Sequence, residues 1–522
     1  MVYKFMCGIT GILTCDHKKP VIEYLLASIS ILMNRGYDSV GVGTVDLTDS
    51  KLNISKYATN PDSEHLTKIK SESRKHSNSM VGIAHTRWAT HGGKTDLNSH
   101  PHSDNDNLFA VVHNGIIENY AELKNFLIRE KYRFVSETDT EVIVNLINYY
   151  YRQTQDIESS IIKATSQCHG TFALGIINRQ MNDKLYCIKR GSPLLLGFGN
   201  NSCMIASERS GFINLANKYF VLENNILCVI EKIDDKISVR TSQKYQTIEI
   251  KESKEETTFK PYPNWTLKEI CEQSMAVKRT LNYGGRIVND SEVKLGGLDD
   301  NRDKLLQMNH IVLLGCGTSY HSGLLASRLI KSICHFDTVS VHEAGSFTLE
   351  DVPKSGKTGF VYISQSGETR DLYRCLDMIN NSQHRYINIG IINVVDSLIA
   401  REVDCGIYLN AGREFAVAST KAFTCQYIAL VLLSLWFSQH REKNDTMRRN
   451  IILALNRLPY DMDEILSNPP TKIYQEIATY LKTQTSMFIL GRGCLEPIAY
   501  EGSLKIKEIG YIHTQGDRKS VV

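Results

Sequence analysis

The sequence predicts two fold classes joined in one chain: a packed sheet-and-helix α+β half up to about residue 250, then a doubly wound α/β half. Three observations predict this. Before residue 250, short β-like runs recur with a few helical stretches between them. The polar, charged stretch Thr241–Pro263 then has little to bury and reads as a linker. After it the order becomes strand, Gly/Ser-rich turn, apolar helix, which implies parallel strands with helical crossovers. A chain of 522 residues exceeds one hydrophobic core, so roughly two to four domains are expected.

In the first half the β-like runs are Gly8–Leu13, Met80–Ala84, Phe109–His113, Thr171–Ile177, Lys184–Ile188 and Ile226–Ile230, with helices at Val21–Met33 and Asp139–Tyr151. In the second, His310–Leu314 leads into GCGTSYHSG, Thr358–Ile363 leads into SQSGET, and Tyr386–Val395 is a further strand. The same grammar restarts at Ser486–Leu490, followed by GRG and a helix over Ile498–Ile509. About sixty residues serve that last unit, fewer than a self-sufficient core of this kind needs, so it is expected to be incomplete and unstable.

Bulk properties exclude several classes. Apolar residues at 42% and charged residues at 22% describe an ordinary globular protein. The net charge of +3, with both signs interleaved, gives no basic stripe for nucleic acid. The longest apolar run, Tyr427–Phe437, falls short of a membrane span and reads as a buried helix. The patch Cys7–Leu13 is broken by glycines and lacks a cleavage site, which argues against a secretory signal. Thirteen cysteines, an odd number without a CxxC pair, argue against a zinc site and a disulfide framework. Most read as buried thiols in a reducing cytoplasm, with at most one or two of them chemical.

One candidate nucleophile is Cys7 in Met6-Cys7-Gly8-Ile9; taken alone, such a cysteine is more often structural. Polar segments follow it: Asn34-Arg35-Gly36-Tyr37-Asp38-Ser39, His85-Thr86-Arg87-Trp88-Ala89-Thr90-His91-Gly92, Asn98-Ser99-His100-Pro101-His102, His113-Asn114-Gly115-Ile116-Ile117-Glu118-Asn119 and Ser136-Glu137-Thr138-Asp139-Thr140-Glu141. The histidines His85, His91, His100, His102 and His113 admit a metal reading, but no HExxH pattern appears. In this order after MCGI, the segments resemble the class II, N-terminal-nucleophile glutamine amidotransferase domain, over roughly residues 7–245. That resemblance implies a four-layer glutaminase fold and no metal.

It also implies roles. The Cys7 thiolate would attack the glutamine amide carbonyl, with an N-terminal α-amine of pKa about 8 as the adjacent base. Asn114 (side-chain amide) and Gly115 (backbone N–H) match the family's oxyanion donors. Arg87 would hold the glutamine α-carboxylate and Asp139 its α-ammonium, with Arg35, Thr90 and His91 lining the pocket. Trp88 matches the family's channel-gating indole, in a path that carries ammonia away from water. The family works with cysteine as the mature first residue, whereas Met1–Phe5 precede Met6 here. Either the chain starts at Met6, or a processing step exposes Cys7, or the glutaminase is dead; a start at Met6 is expected, because the family's reading frames begin Met-Cys-Gly-Ile.

In the second half, Gly315-Cys316-Gly317-Thr318-Ser319 and Ser364-Gln365-Ser366-Gly367-Glu368-Thr369 each follow a strand and open a helix. Backbone N–H groups and hydroxyls at a helix start favour a phosphate, although a turn with an N-cap explains the same residues. No P-loop GxxxxGK[ST] is present. Glu501, Lys505 and Glu508, spaced i, i+4, i+7, share one helix face, which by itself fits a solvated salt-bridge row. With Ala416-Val417-Ala418-Ser419-Thr420-Lys421, these segments resemble the sugar isomerase (SIS) domain.

An amidotransferase domain followed by SIS units resembles the glutamine–fructose-6-phosphate aminotransferase (isomerizing) family. The resemblance implies glutamine and fructose 6-phosphate as substrates, glucosamine 6-phosphate and glutamate as products, and no cofactor. It places sugar phosphate at Thr318, Ser319, Ser364, Gln365, Ser366 and Thr369, with Val417 and Ser419 nearby. Glu508 would shuttle the proton between C1 and C2, supported by Glu501 and Lys505. The implied domains are 7–245 (amidotransferase), 246–285 (linker and start of the isomerase half), 286–455 (first SIS) and 460–522 (partial second SIS). A cytoplasmic homo-oligomer, with no nucleic-acid or membrane partner, is expected of the complete protein. After His513 the sequence runs TQGDRKSVV, without the family's ring-opening histidine loop or its Schiff-base lysine tail. The reading therefore expects truncation and less than full synthase activity; a non-catalytic phosphosugar-binding relic or regulatory subunit, or a glutaminase alone, are the alternatives.

Overall fold

A computed structural model describes residues 7–16, 19–33, 38–59, 65–87, 93–212, 215–250, 258–395 and 397–518. The described residues form two compact units, 7–250 and 258–518.

The first unit is a sandwich of two antiparallel sheets with helices outside. The larger sheet runs in the order Ile248–Glu249, Lys218–Val221, Leu195–Phe198, Ser202–Ala206, Gly8–Thr14, Val81–Arg87, Ser39–Val45, Leu52–Ala58. The smaller runs Lys236–Thr241, Cys228–Ile233, Met181–Arg190, Gly170–Asn178, Phe109–Ile117, His102–Ser103. Alternate side chains of each sheet meet in the middle, where Ile9, Leu13, Val81 and Ile83 pack on Ala110, Val112, Ala173 and Cys187. The helix Val21–Leu32 covers the larger sheet with Val21, Ile22, Leu25 and Ile29, a 3.6-residue stripe. Helices Tyr120–Arg129, Asp139–Thr154 and Ile157–Gln167 cover the smaller one. The result is the four-layer α/β/β/α arrangement expected of the amidotransferase. The polar stretch read as a linker starts later than expected: Ile248–Glu249 pairs with Lys218–Val221, and the Tyr245 ring stacks on Phe220 at 4.0 Å.

The second unit is built on a five-stranded, all-parallel sheet in the order Thr338–Glu343, His310–Gly315, Thr358–Ser364, Ile387–Ile392, Cys405–Tyr408. The order reverses between His310–Gly315 and Thr358–Ser364, so their carboxyl ends flank the crevice where doubly wound sheets take ligands. Helices cover both faces; Arg370–Asn380 buries Leu372, Cys375, Leu376 and Ile379 on one side.

On the other face lies Lys421–His440, longer than the apolar run that marks it. Among the described residues it alone is long and apolar enough to cross a membrane, yet 78% of its apolar window is buried inside the unit. Trp436, fully buried, donates its Nε1–H to Asp299 Oδ1 at 2.8 Å.

The helix Gln273–Thr280 also joins this core through Ala276 and Val277. Beyond it, the parallel strands Ser486–Gly491 and His513–Arg518 flank the helix Glu496–Gly510 as one βαβ turn. Here Ile473, Tyr474, Ile477, Tyr480, Phe488 and Leu490 are exposed.

Candidate active sites

Cys7 sits directly before the strand Gly8–Thr14, whose neighbour on one side is Val81–Arg87. Gly8 N–H donates to Thr86 Oγ1 at 3.1 Å, and the Thr86 hydroxyl donates on to Leu32 O, so the chain entering the strand is tied at its first residue. Asn114 comes from the other sheet, on Phe109–Ile117, and is 5% exposed. Its Nδ2 donates to Cys7 O at 2.6 Å, which brings the predicted nucleophile and the predicted amide donor together. Gly115 beside it has φ +130°, and a Cβ there would lie 2.1 Å from Thr171 O; only glycine fits.

Arg87 ends its strand 4% exposed, and Asp139 opens the helix Asp139–Thr154 6% exposed. Burial pulls the Arg87 guanidinium below its ordinary value, while the Cys7 thiol, Asp38 and Asp139 pull the other way, so these groups share one electrostatic neighbourhood. Asp139 Oδ2 accepts from Ile117 N–H at 2.9 Å. Arg35, Trp88, Thr90 and His91 lie outside the described residues, as do Met1–Met6.

The histidines do not converge as ligands: among the described residues no group of three or more His, Cys, Asp or Glu could hold a metal. His85, His100, His102 and His113 form a buried polar shell instead. His85 Nε2 meets Asn114 Oδ1 and His113 O; Thr140 Oγ1 meets His113 Nδ1 at 2.9 Å and His100 Nε2 at 3.4 Å; Thr138 Oγ1 meets His102 Nε2 at 3.0 Å. Burial depresses His85 to about 3 and takes His100 and His102 well below the ordinary imidazole value, so these three rings are neutral near pH 7.

In the second unit, the helix Thr318–Ile333 starts at the switch point with Gly317 as N-cap, and Arg370–Asn380 starts at Thr369. The Ser364 and Thr369 hydroxyls meet at 3.1 Å, Gly367 N–H donates to Ser364 Oγ at 2.9 Å, and Glu368 N–H donates to Ser366 Oγ at 3.1 Å. Gly367 needs φ +66°, and a Cβ would lie 1.9 Å from Ser397 Oγ. Ser319 Oγ accepts from Gln426 Nε2 at 2.9 Å. Gln365 and Val417 are partly buried in their loops. Ser419 donates to Glu414 Oε2 at 3.0 Å, and Glu414 Oε1 accepts from the Thr420 and Ala422 N–H groups.

Glu501, Lys505 and Glu508 do share a face, but it is no solvated row. Lys505 Nζ lies 2.7 Å from Glu508 Oε2, 3.3 Å from Glu501 Oε1 and 3.1 Å from Thr318 Oγ1. Glu501 is 6% exposed and accepts from Thr318 Oγ1 at 2.9 Å. Burial raises its carboxyl, but hydrogen bonds from His321 and Thr318 with the Lys505 charge outweigh this and leave it below its ordinary value. The helix Glu496–Gly510 is thereby fastened to the start of the helix Thr318–Ile333.

Sequence reasoning gave His85 only a metal reading and gave no role to His321 or Glu269. His321 Nδ1 sits 2.8 Å from Glu501 Oε2, and only its place inside GTSYHSG could have flagged it. Glu269, 1% exposed, accepts from Phe415 and Ala416 N–H, holding the loop ahead of Val417. Burial raises its carboxyl to about 7.

An N-terminal sandwich with a cysteine facing an amide donor, followed by a doubly wound sheet with hydroxyl-rich loops at its switch point, defines a class: a glutamine amidotransferase unit joined to an SIS unit. The glutamine amidotransferase domain model matches residues 85–214 and the SIS domain model residues 304–435. A probable glutamine–fructose-6-phosphate aminotransferase (isomerizing) of Acanthamoeba polyphaga mimivirus is 38% identical over 517 residues, 98% of this chain and 82% of the relative. The enzymes of that name from Caldanaerobacter subterraneus subsp. tengcongensis and Bacteroides thetaiotaomicron are 36% and 35% identical over 98% of this chain and 81% and 82% of their own lengths. A solved C-terminal domain of glucosamine-fructose-6-phosphate aminotransferase from Francisella tularensis aligns with 51% of this chain and 72% of that domain, at 34% identity and TM-score 0.46. The chain belongs to the glutamine–fructose-6-phosphate aminotransferase (isomerizing) family.

Proposed function

We propose that this chain transfers the amide nitrogen of glutamine to fructose 6-phosphate with isomerisation, yielding glutamate and glucosamine 6-phosphate. The observation that carries the reading is similarity over 98% of this chain to enzymes of that name, in a chain that pairs Cys7 with Asn114 and Thr318 with Glu501 and Lys505.

Glutamine is held by Arg87 at its α-carboxylate and Asp139 at its α-ammonium, with Arg35, Thr90 and His91 around it. The Cys7 thiol gives its proton to the α-amine of a chain that begins at Cys7, and the thiolate attacks the amide carbon. The oxygen gains negative charge and takes hydrogen bonds from Asn114 Nδ2 and the Gly115 N–H. Collapse breaks the C–N bond as the protonated α-amine returns the thiol's proton to the leaving nitrogen; the ammonia is kept from bulk water by Trp88, and hydrolysis of the thioester releases glutamate.

At the switch point Thr318, Ser319, Ser364, Gln365, Ser366 and Thr369 hold the phosphate, with Val417 and Ser419 beside them. Glu508 moves the proton between C1 and C2, while Lys505 and Glu501 set its charge and position. Thirteen free thiols accord with a reducing, cytoplasmic setting, where we place the protein as a homo-oligomer.

The test is incubation with amide-¹⁵N glutamine and fructose 6-phosphate. Glucosamine 6-phosphate carrying the label is expected; labelled ammonia with glutamate but no amino sugar overturns the reading.

A further inference from the structure

The Asn114 amide can serve an oxyanion only if its nitrogen, not its oxygen, faces Cys7. Its surroundings decide which. On one side stands the Cys7 carbonyl oxygen, 2.6 Å from Nδ2, which can only accept. On the other stands His85, on the strand Val81–Arg87 and 1% exposed. His85 Nε2 lies 3.0 Å from His113 O, again an atom that can only accept, and 3.1 Å from the Asn114 side-chain oxygen. Bonding a carbonyl requires the proton to be on Nε2, so the amide atom facing it must be an acceptor. A flipped Asn114 would set N–H against N–H at His85 and oxygen against oxygen at Cys7. The ring stacks on His100 at 4.1 Å with 11° between planes, and a ring turned over would put a carbon where Nε2 meets the His113 carbonyl.

We propose that His85 is a positioning residue for glutamine hydrolysis: its Nε2–H, bridging the two sheets to Asn114, fixes the amide with its NH2 toward Cys7. One amide hydrogen then serves the Cys7 carbonyl and the other is left for the oxyanion. This rests on the proposed glutaminase step. Burial keeps the ring neutral, and the neutral Nε2–H tautomer meets both acceptors without bringing a charge beside the site.

The experiment compares His85→Leu, which removes the donor, with His85→Gln, which restores an N–H near the Nε2 position, in the full chain produced from Cys7 onward. For His85→Leu, kcat for glutamine hydrolysis is expected to fall on the order of tenfold or more, less than the ~10²–10³-fold of losing an oxyanion donor outright. KM for glutamine is expected to hold, and affinity for glutamate 5-semialdehyde, whose thiol adduct mimics the tetrahedral oxyanion, to fall in step with kcat. His85→Gln recovers most of both. Unchanged kcat in His85→Leu, or equal losses of semialdehyde and glutamate affinity, overturns the proposal. If the parent protein hydrolyses no glutamine, the functional reading fails, and ¹⁵N NMR still decides the positioning. Protonated Nε2 on His85, with Asn114 NH2 signals that shift in His85→Leu, upholds it; a proton on Nδ1 overturns it.

Discussion

The two sites hold charge in opposite ways. Behind Cys7 the imidazoles are neutral: burial disfavours the charged forms of His85, His100 and His102, and the His113 carbonyl and two threonine hydroxyls meet their Nε2 atoms. In the SIS crevice carboxylates and an ammonium are paired, with Lys505 between Glu501 and Glu508, and His321 Nδ1 2.8 Å from Glu501 Oε2. The difference teaches what each chemistry needs. A transient oxyanion is best met by fixed dipoles in a dry place, whereas moving a proton between adjacent carbons needs carboxylates whose charge is held by a cation.

Substitutions can break this contrast. Cys7→Ala is expected to take glutamate release to background while fructose 6-phosphate binding, measured by calorimetry, is unchanged; lost sugar binding would mean the sites are not separable. Glu508→Gln is expected to slow amino-sugar formation about 10²–10⁴-fold, measured by product chromatography, with glutamine hydrolysis intact. Asn114→Ala is expected to lower kcat for hydrolysis by roughly 10²–10³-fold and leave Cys7 alkylation by iodoacetamide in place. An undiminished kcat would remove Asn114 from the oxyanion site.

The smallest effect sharpens the contrast through pH. The folded pKa of His85, about 3, lies below that of the unfolded chain, so unfolded protein binds more protons as pH falls below about 6.5. Each such histidine costs the amidotransferase unit up to about 1.4 kcal/mol per pH unit of acidification, until the folded group itself titrates. Glu269, raised to about 7, works in reverse: the folded SIS unit binds the extra proton, and stability is lost as pH rises from about 4.3 toward 7. Pulse proteolysis read separately on each unit should give slopes of opposite sign; a shared sign would show that other groups dominate.

Much of the fold was legible because the runs that make the central strands are long and apolar on buried faces. Gly8–Thr14, Phe109–Ile117, Gly170–Asn178, His310–Gly315 and Thr358–Ser364 each fall within a few residues of where periodicity placed them. The four-residue strands Leu195–Phe198, Lys218–Val221 and Cys405–Tyr408 were not, since so short a run carries no distinguishable period. The length of the Lys421–His440 helix was also underestimated, because its polar ends continue the helix past the apolar run.

By itself the sequence determined the order of the chemistry: a thiol ahead of an amide donor, hydroxyl loops after strands, and carboxylates and a lysine at helical spacing. Those depend on neighbours in the chain, where residue type and period suffice. Only the tertiary structure decided who faces whom. His85 and Asn114 meet across two sheets, and Glu501 reaches Thr318 and His321 from a helix about 180 residues away. Such pairings are chosen by strand register and by the cost of leaving buried polar atoms without partners, which no local pattern records.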